Sequence, residues 1–237
     1  AHGSEWRDQK VGTHGIGGTF SFQQSKLMTA GEGGLIITND DEFEGKARSA
    51  HDCGRLPGEW FYAHFSYGSN YRLSEWQGAM LRAQLGRLDE QTARRHKNSL
   101  LLDELLGEIE GITPQKLDKR CTRNWHYAYI LRFDPETFAG INIDQFIKAM
   151  NAEGIPNQAA YPAIHSLDMF KNGAYRSRLC GDQAKEEHAF LKGEFPNAVA
   201  AASSYWVPQY ALLGDEQDMQ EIAAAIRKIQ GAAGEIK

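Results

Sequence analysis

Cysteine is scarce in this chain: Cys53, Cys121 and Cys180 are odd in number, widely spaced and free of any CxxC pair. That argues against a disulfide framework or a zinc ribbon and points to reduced thiols in a cytoplasm. No apolar run is long enough to span a bilayer, and the first residues lack a charged-then-apolar signal pattern. Basic excess is missing too. Its 26 Lys and Arg against 31 Asp and Glu leave a net charge of −5, and with no concentrated basic patch we expect neither nucleic-acid nor membrane binding. Internal repeats and low-complexity tracts are absent. Gly12 to Gly18 is glycine-rich but lacks the GxGxxG or Walker spacing, so it reads as a loop entering a strand. His2 and His14 stand twelve residues apart with no carboxylate at ligand spacing, so no metal is expected.

The 237 residues are 41% hydrophobic and 24% charged, a composition that can bury one sizeable core. One stretch concentrates the chemistry. Thr19 to Ser21 opens as an aromatic strand, Gln23 to Thr29 forms a polar turn around Lys26, Gly31 to Gly34 is a glycine cluster, and Leu35 to Thr38 is an apolar strand. Lys26 is therefore expected between two buried strands. A lysine on the rim of a hydrophobic sheet loses hydration, and a neutral amine can condense with an aldehyde. Ser21, five residues earlier, can offer a hydroxyl to an anion. The residues alone leave two readings open: a Schiff-base lysine, or a solvated lysine beside an ordinary glycine turn.

The string Phe20-Ser21-Phe22, Lys26, Thr29 and Gly31-Glu32-Gly33-Gly34 resembles the signature of the DegT/DnrJ/StrS family of sugar and cyclitol aminotransferases, which are pyridoxal-phosphate (PLP) enzymes of fold type I. The resemblance implies that Lys26 forms the internal aldimine with PLP and that Ser21 contacts the cofactor phosphate. Gly68-Ser69-Asn70-Tyr71-Arg72-Leu73 resembles a second family element, whose asparagine reaches the PLP phosphate of the neighbouring subunit. That implies a homodimer with Asn70 acting in trans. Family members with histidine in place of the lysine are dehydratases, and this chain keeps Lys26. The family's pyridine-pairing aspartate falls just before an Ala-His-Gly like Ala1-His2-Gly3. The chain is therefore expected to be the C-terminal portion of a fold-type-I aminotransferase, an α/β protein. Residues 1–110 would be the rear of the large α/β/α domain with a linking helix, and 111–237 the small α/β domain.

Asn39-Asp40-Asp41 supplies caps for a helix carrying Phe43, Ala47 and Ala50. Asp52 to Tyr71, with Trp60, Phe61, Tyr62, Phe65 and Tyr67, reads either as a partner-facing loop or as aromatics covering a core edge. The resemblance at Asn70 favours a dimer interface. Ser74-Glu75-Trp76-Gln77 is a capping box. It opens a long helical stretch whose apolar face is Trp76, Met80, Leu81, Leu85 and Leu88, then Leu101, Leu102, Leu105, Leu106 and Ile109, ended by Gly111 and Pro114. That stretch is expected to bend at Arg94-Arg95-His96-Lys97, a solvated basic cluster. From Trp125 to Phe133 the odd positions carry an aromatic strand face, with His126 as a satisfied histidine on a half-buried strand. Asp144 to Glu153 reads as a helix ended by Gly154, and Pro156 begins an extended run. Gln183 to Phe195 reads as charged surface, and Met219, Ile222, Ile226 and Ile229 mark a C-terminal amphipathic helix.

The resemblance implies transfer of an amino group from glutamine or glutamate to a keto-cyclitol or keto-sugar by a ping-pong mechanism, as in sugar, cyclitol and aminoglycoside or other antibiotic biosynthesis. Phe20-Ser21-Phe22-Gln23-Gln24 and Lys26 to Thr29 look closest to the cyclitol and aminohydroxybenzoate members. Arg72 is a candidate for the donor carboxylate. In the family a tyrosine-proline loop lies near the acceptor pocket, so Tyr161 and His165 are candidates for acceptor hydroxyls, beside the plainer reading of a turn capped by a packed tyrosine. A nucleotide-sugar aminotransferase and a catalytically inactive dimerisation fragment remain as alternatives.

Overall fold

The computed structural model describes residues 1–171 and 194–236. Its strands are β1 (Glu5–Trp6), β2 (Gln9–Lys10), β3 (Gly17–Ser21), β4 (Gly34–Thr38), β5 (Ile112–Pro114), β6 (Cys121–Arg123), β7 (Ala128–Phe133), β8 (Gln158–Ala159) and β9 (Ser204–Pro208). The longer helices are α1 (Asp41–His51), α2 (Glu75–Leu106), α3 (Ile143–Ala152), α4 (Pro196–Ala202) and α5 (Glu216–Ala232). Two compact units form, one from 1–99 with 116–127, the other from 100–115 with 128–237. They do not coincide with the expected domains 1–110 and 111–237. The last turns of α2 supply Leu102 and Leu106 to the second core, and β6 returns to pair with β1. No helix of the described residues is long and apolar enough to cross a membrane.

In the first unit, β2, β1 and β6 form a small antiparallel sheet, and β3 pairs with β4 as an antiparallel ribbon from Gly17 opposite Thr38 to Ser21 opposite Gly34. The expectation that Lys26 lies between two buried strands is corrected here. Leu35 and Ile36 are about half exposed; α1 packs on the two-stranded ribbon through Phe43 at Gly17, and Gly12 and His2 lie against Phe20. Asp40 caps α1 by accepting from the Phe43 N–H at 2.7 Å, as the acidic run before it predicts. At the head of α2, Ser74 Oγ accepts from the Gln77 N–H and Gln77 Oε1 accepts from the Ser74 N–H, the expected capping box.

The face of α2 differs from the sequence reading. Leu81 and Leu88 are buried, but Trp76, Met80 and Leu85 are exposed, and the buried line runs on through Thr92, Arg95 and Ser99. Positions 81, 88, 95 and 102 repeat every seven residues, so geometry carries a cation onto the covered side. Arg95 is thus buried while Arg94, His96 and Lys97 are exposed. Burial pushes its guanidinium down to about 10. The helix stops at Leu106, before the expected Ile109, and Pro114 closes edge strand β5.

The second unit is a four-stranded antiparallel sheet of order β5-β7-β9-β8 with α3 and α5 packed on it. Tyr129, Leu131 and Phe133 alternate inward from β7, and Phe146 and Met150 from α3 join Met219, Ile222, Ile226 and Ile229 from α5 in one core. Asn142 caps α3 through a capping box with Gln145, and Gly154 at φ +82° ends the turn after it. β9, bonded on both sides, was not anticipated: Ser204 to Pro208 is too short and too uniformly buried to show a period. α4, with Pro196 at its first turn, was missed as well. The charged run Gln183 to Phe195 lies outside the described residues up to position 193, as does Cys180; Cys53 and Cys121 are free thiols.

Candidate active site

The turn bearing Lys26 is held at both ends by backbone. The Phe22 N–H donates to Gly33 O at 2.8 Å, and the Ala30 N–H donates to Phe22 O at 2.9 Å. Gly33 sits at φ +143°, in backbone space that side chains rarely adopt, with Leu73 and Phe22 against it. From α2, the Gln84 amide grips the turn by accepting from the Thr29 N–H (3.0 Å) and donating to Thr29 O (2.5 Å). Leu27 packs with Leu88 and Trp125, while Met28 and Ala30 pack with Phe22 and Leu81. Flanking apolar side chains thus anchor the turn and leave Lys26 half-buried.

Inside the turn the polar groups form a chain. The Gln23 N–H donates to Ser21 Oγ at 3.3 Å, the Lys26 N–H donates to Gln23 O at 2.9 Å, and Ser25 donates to Gln23 Oε1 from both its N–H (2.9 Å) and its hydroxyl (2.6 Å). Ser25 Oγ lies 2.9 Å from the Tyr127 hydroxyl. With the Ser25 proton already given to Gln23, Tyr127 is the donor. The Tyr127 ring lies under the amine, with Nζ of Lys26 4.1 Å from its centroid. Among the described residues no carboxylate pairs with Lys26.

His2 is buried, stacked on Phe22 at 5.8 Å and tilted against Phe20 at 5.4 Å. Neither ring nitrogen meets hydrogen-bond geometry. Burial, then the terminal ammonium and Lys26, lower it to about 4, although the Ser21 backbone is close enough to oppose the shift. Gly3, at φ +81°, lies against the Trp125 ring so closely that an added Cβ would sit 2.5 Å from it.

Ser21 and Lys26 are therefore brought together through Gln23, with Ser21 exposed at the end of β3. Asn70 and Arg72 are placed by the loop after α1. Asn70 forms an isolated bridge with Asp52, and its Oδ1 accepts from the Arg72 N–H at 3.4 Å. Arg72 and Arg55 both pair with the Asp52 carboxylate, and Arg72 first, then Arg55, holds it below the usual carboxylate range. Arg72 meets Asp52 through Nη1, so a donor carboxylate at Arg72 would share the guanidinium with Asp52. Tyr161 and His165 belong to the second unit. Tyr161 is exposed with its ring 6.4 Å from Trp206, and His165 lies 4.8 Å from Phe195.

The Trp125 to Phe133 strand is corrected at its start. His126 adopts φ +46° and β7 begins only at Ala128, so Trp125 and Tyr127 belong to the first unit, around Lys26. His126 is not on a strand, and burial with His96 nearby lowers it to about 4. Sequence reasoning missed Tyr127, Gln84 and the Gln23–Ser25 link. Only Tyr127 carried a signal, the odd-position aromatic series, and that signal pointed to the wrong core.

Residues 1–227 match the model of the DegT/DnrJ/EryC1/StrS aminotransferase family, and the chain belongs to that family. Over 97% of its length it is 37% identical to a putative L-glutamine:3-amino-2,3-dideoxy-scyllo-inosose aminotransferase of Streptomyces kanamyceticus, covering 57% of that protein. It is 39% identical to the 3-amino-5-hydroxybenzoate synthase of Amycolatopsis mediterranei, over 95% of this chain and 56% of the relative. A solved 3-amino-5-hydroxybenzoic acid synthase superposes with a TM-score of 0.81 at 34% identity, over 98% of this chain and 58% of that one. The α/β fold is that of fold-type-I aminotransferases. The chain spans a little over half the length of these relatives.

Proposed function

We propose that this chain serves a PLP-dependent aminotransferase that moves an amino group from glutamine or glutamate to a keto-cyclitol in two alternating half-reactions. The observation that carries the reading is the Lys26 turn: a half-buried lysine whose amine has no carboxylate partner among the described residues and whose backbone is tied through Gln23 to an exposed Ser21 hydroxyl.

These residues fit PLP. Lys26 would hold it through its aldehyde carbon, Ser21 would donate to its phosphate, and Asn70 of a second copy would reach the neighbouring phosphate in a homodimer. When bound, PLP supplies an aldehyde for amine exchange and a conjugated ring that accepts electrons. The protein groups do the rest. Nζ of Lys26, as a free amine, takes the proton from the donor's α-carbon and returns one during the second half-reaction. Tyr161 and His165 would bind acceptor hydroxyls. Relatives named for glutamine and scyllo-inosose substrates support the cyclitol reading. So does the commitment of Arg55 and Arg72 to Asp52, because a nucleotide diphosphate needs unengaged cations. The proposal includes a cytoplasmic setting, which the free thiols Cys53 and Cys121 support.

The test is an absorbance spectrum of the chain with added PLP, then borohydride reduction and peptide mapping. We expect a visible band and a reduced adduct on Lys26, both abolished by Lys26→Ala. Ser21→Ala is expected to weaken PLP binding about 10- to 100-fold, the worth of one hydrogen bond to a charged group. Adducts scattered over surface lysines, or none, would sink the enzyme reading for this chain and leave the dimerisation-segment reading.

A further inference from the structure

We propose that Tyr127 is a positioning residue for Lys26: its ring face seats the amine, and its hydroxyl latches the turn that holds Ser21 and Lys26 in one geometry. The inference rests on the aminotransferase reading and adds to it a residue from a different part of the chain.

Three observations converge on this one side chain. First, Nζ of Lys26 lies 4.1 Å from the Tyr127 ring centroid, inside the range where a ring's negative face attracts a cation. Among the described residues no carboxylate competes for that amine, so the ring defines where it rests. Second, the Tyr127 hydroxyl bonds Ser25, which donates to the Gln23 side chain, and the Gln23 backbone N–H donates to Ser21 Oγ. The Gln23 carbonyl also accepts the backbone N–H of Lys26, so the latch holds the turn from which both the Ser21 hydroxyl and the Lys26 side chain project. Third, the backbone departs from strand geometry to deliver the ring. His126 takes the left-handed conformation, φ +46°, uncommon outside glycine although histidine, asparagine and aspartate adopt it more often than other side chains. Its neighbours are then split from β7: Trp125 packs with Leu27, and Tyr127 takes the Lys26 side. Strained backbone of this kind persists where the surroundings over-determine it and clusters at functional sites.

The two functions of the side chain separate by substitution. Tyr127→Phe keeps the ring and removes the latch; Tyr127→Leu removes both. In the full chain without PLP, the Lys26 ε-methylene protons are expected to resonate upfield of other lysines through the ring current, in wild type and Tyr127→Phe alike. Tyr127→Leu should return them to the common lysine position. Amide exchange at Lys26 is expected to speed up about 10-fold in Tyr127→Phe, the worth of one neutral hydrogen bond. Ser25→Ala, which cuts the same relay from the other end, should match that loss and add nothing in the double variant. With PLP present, Tyr127→Phe should lose affinity while its borohydride adduct stays on Lys26. An ε-methylene shift unchanged in Tyr127→Leu, or unchanged amide exchange in Tyr127→Phe, would overturn the proposal. If Tyr127→Leu does not fold, the Tyr127→Phe and Ser25→Ala pair still decides it. Failure of wild type to take PLP would instead strike the aminotransferase reading, since the shift and exchange measurements need no cofactor.

Discussion

The two units bury apolar surface in opposite ways. In the second, 22 buried residues among those described, most of them from the sheet, α3, α5 and the end of α2, form one connected cluster. In the first, the buried apolar clusters hold four residues and three, and Trp60, Phe61, Tyr62, Phe65, Tyr67, Tyr71 and Trp76 are all more than half exposed. A four-stranded sheet with helices on it can fill its own interior; a two-stranded ribbon and a long loop cannot. The comparison teaches that the large apolar core and the proposed site are lodged apart. The unit with the weaker core carries Ser21, Lys26, Asn70 and Tyr127, and it holds them by hydrogen-bonded turns and pairwise contacts.

The sharpest way to break that contrast is Phe146→Ala. Its ring is fully buried, 4.6 Å from Phe133 and 5.0 Å from Tyr205, so the cavity should cost about 3–5 kcal/mol by urea unfolding. A loss below about 1 kcal/mol would mean that the second core is not the stabilising one. Next comes pH. Burial lowers both His2 and His126 to about 4, while in the unfolded chain each takes up a proton near 6.5. Stability present above pH 6.5 should therefore fall as pH drops toward 4, at no more than about 1.4 kcal/mol per pH unit for each histidine, and the slope should end below that. Both histidines are in the first unit, so its amide exchange should respond before that of the second, and His126→Gln should flatten the urea-midpoint slope by one proton. The smallest effect is expected at Trp60→Ser, which should move stability by less than about 0.5 kcal/mol; a loss of several times that would show that the aromatic loop belongs to a folded core.

Elements with a period or a cap were legible in the sequence. The helix α3, the inward residues of α5, the Asp40 and Ser74 caps and the two strands around the Lys26 turn came from local spacing. Elements defined by distant partners were not: β9 is buried along nearly its whole length and shows no alternation, and β1 and β6 are two and three residues long. The α2 reading failed differently. Its apolar residues were counted, but Arg95 rather than a leucine continued the buried line, since seven-residue spacing, not side-chain type, determines which face a helical residue joins. At the site, Ser21 and Lys26 could be paired from their spacing within one turn, whereas Tyr127 lies 101 positions beyond Lys26.

By itself, the sequence determined the family, the α/β character, the lysine turn and the helices whose hydrophobic spacing is local. Only the tertiary structure decided that the β3–β4 ribbon stands open, that Arg72 pairs with Asp52, that Arg95 is buried, and that, outside β7, Trp125 packs with Leu27 while Tyr127 lies against Lys26. The physical reason is the same in each case. Period and capping depend on neighbours within a turn or two of chain, while burial, ion-pair choice and the direction of a side chain after a left-handed residue depend on atoms brought close only by folding.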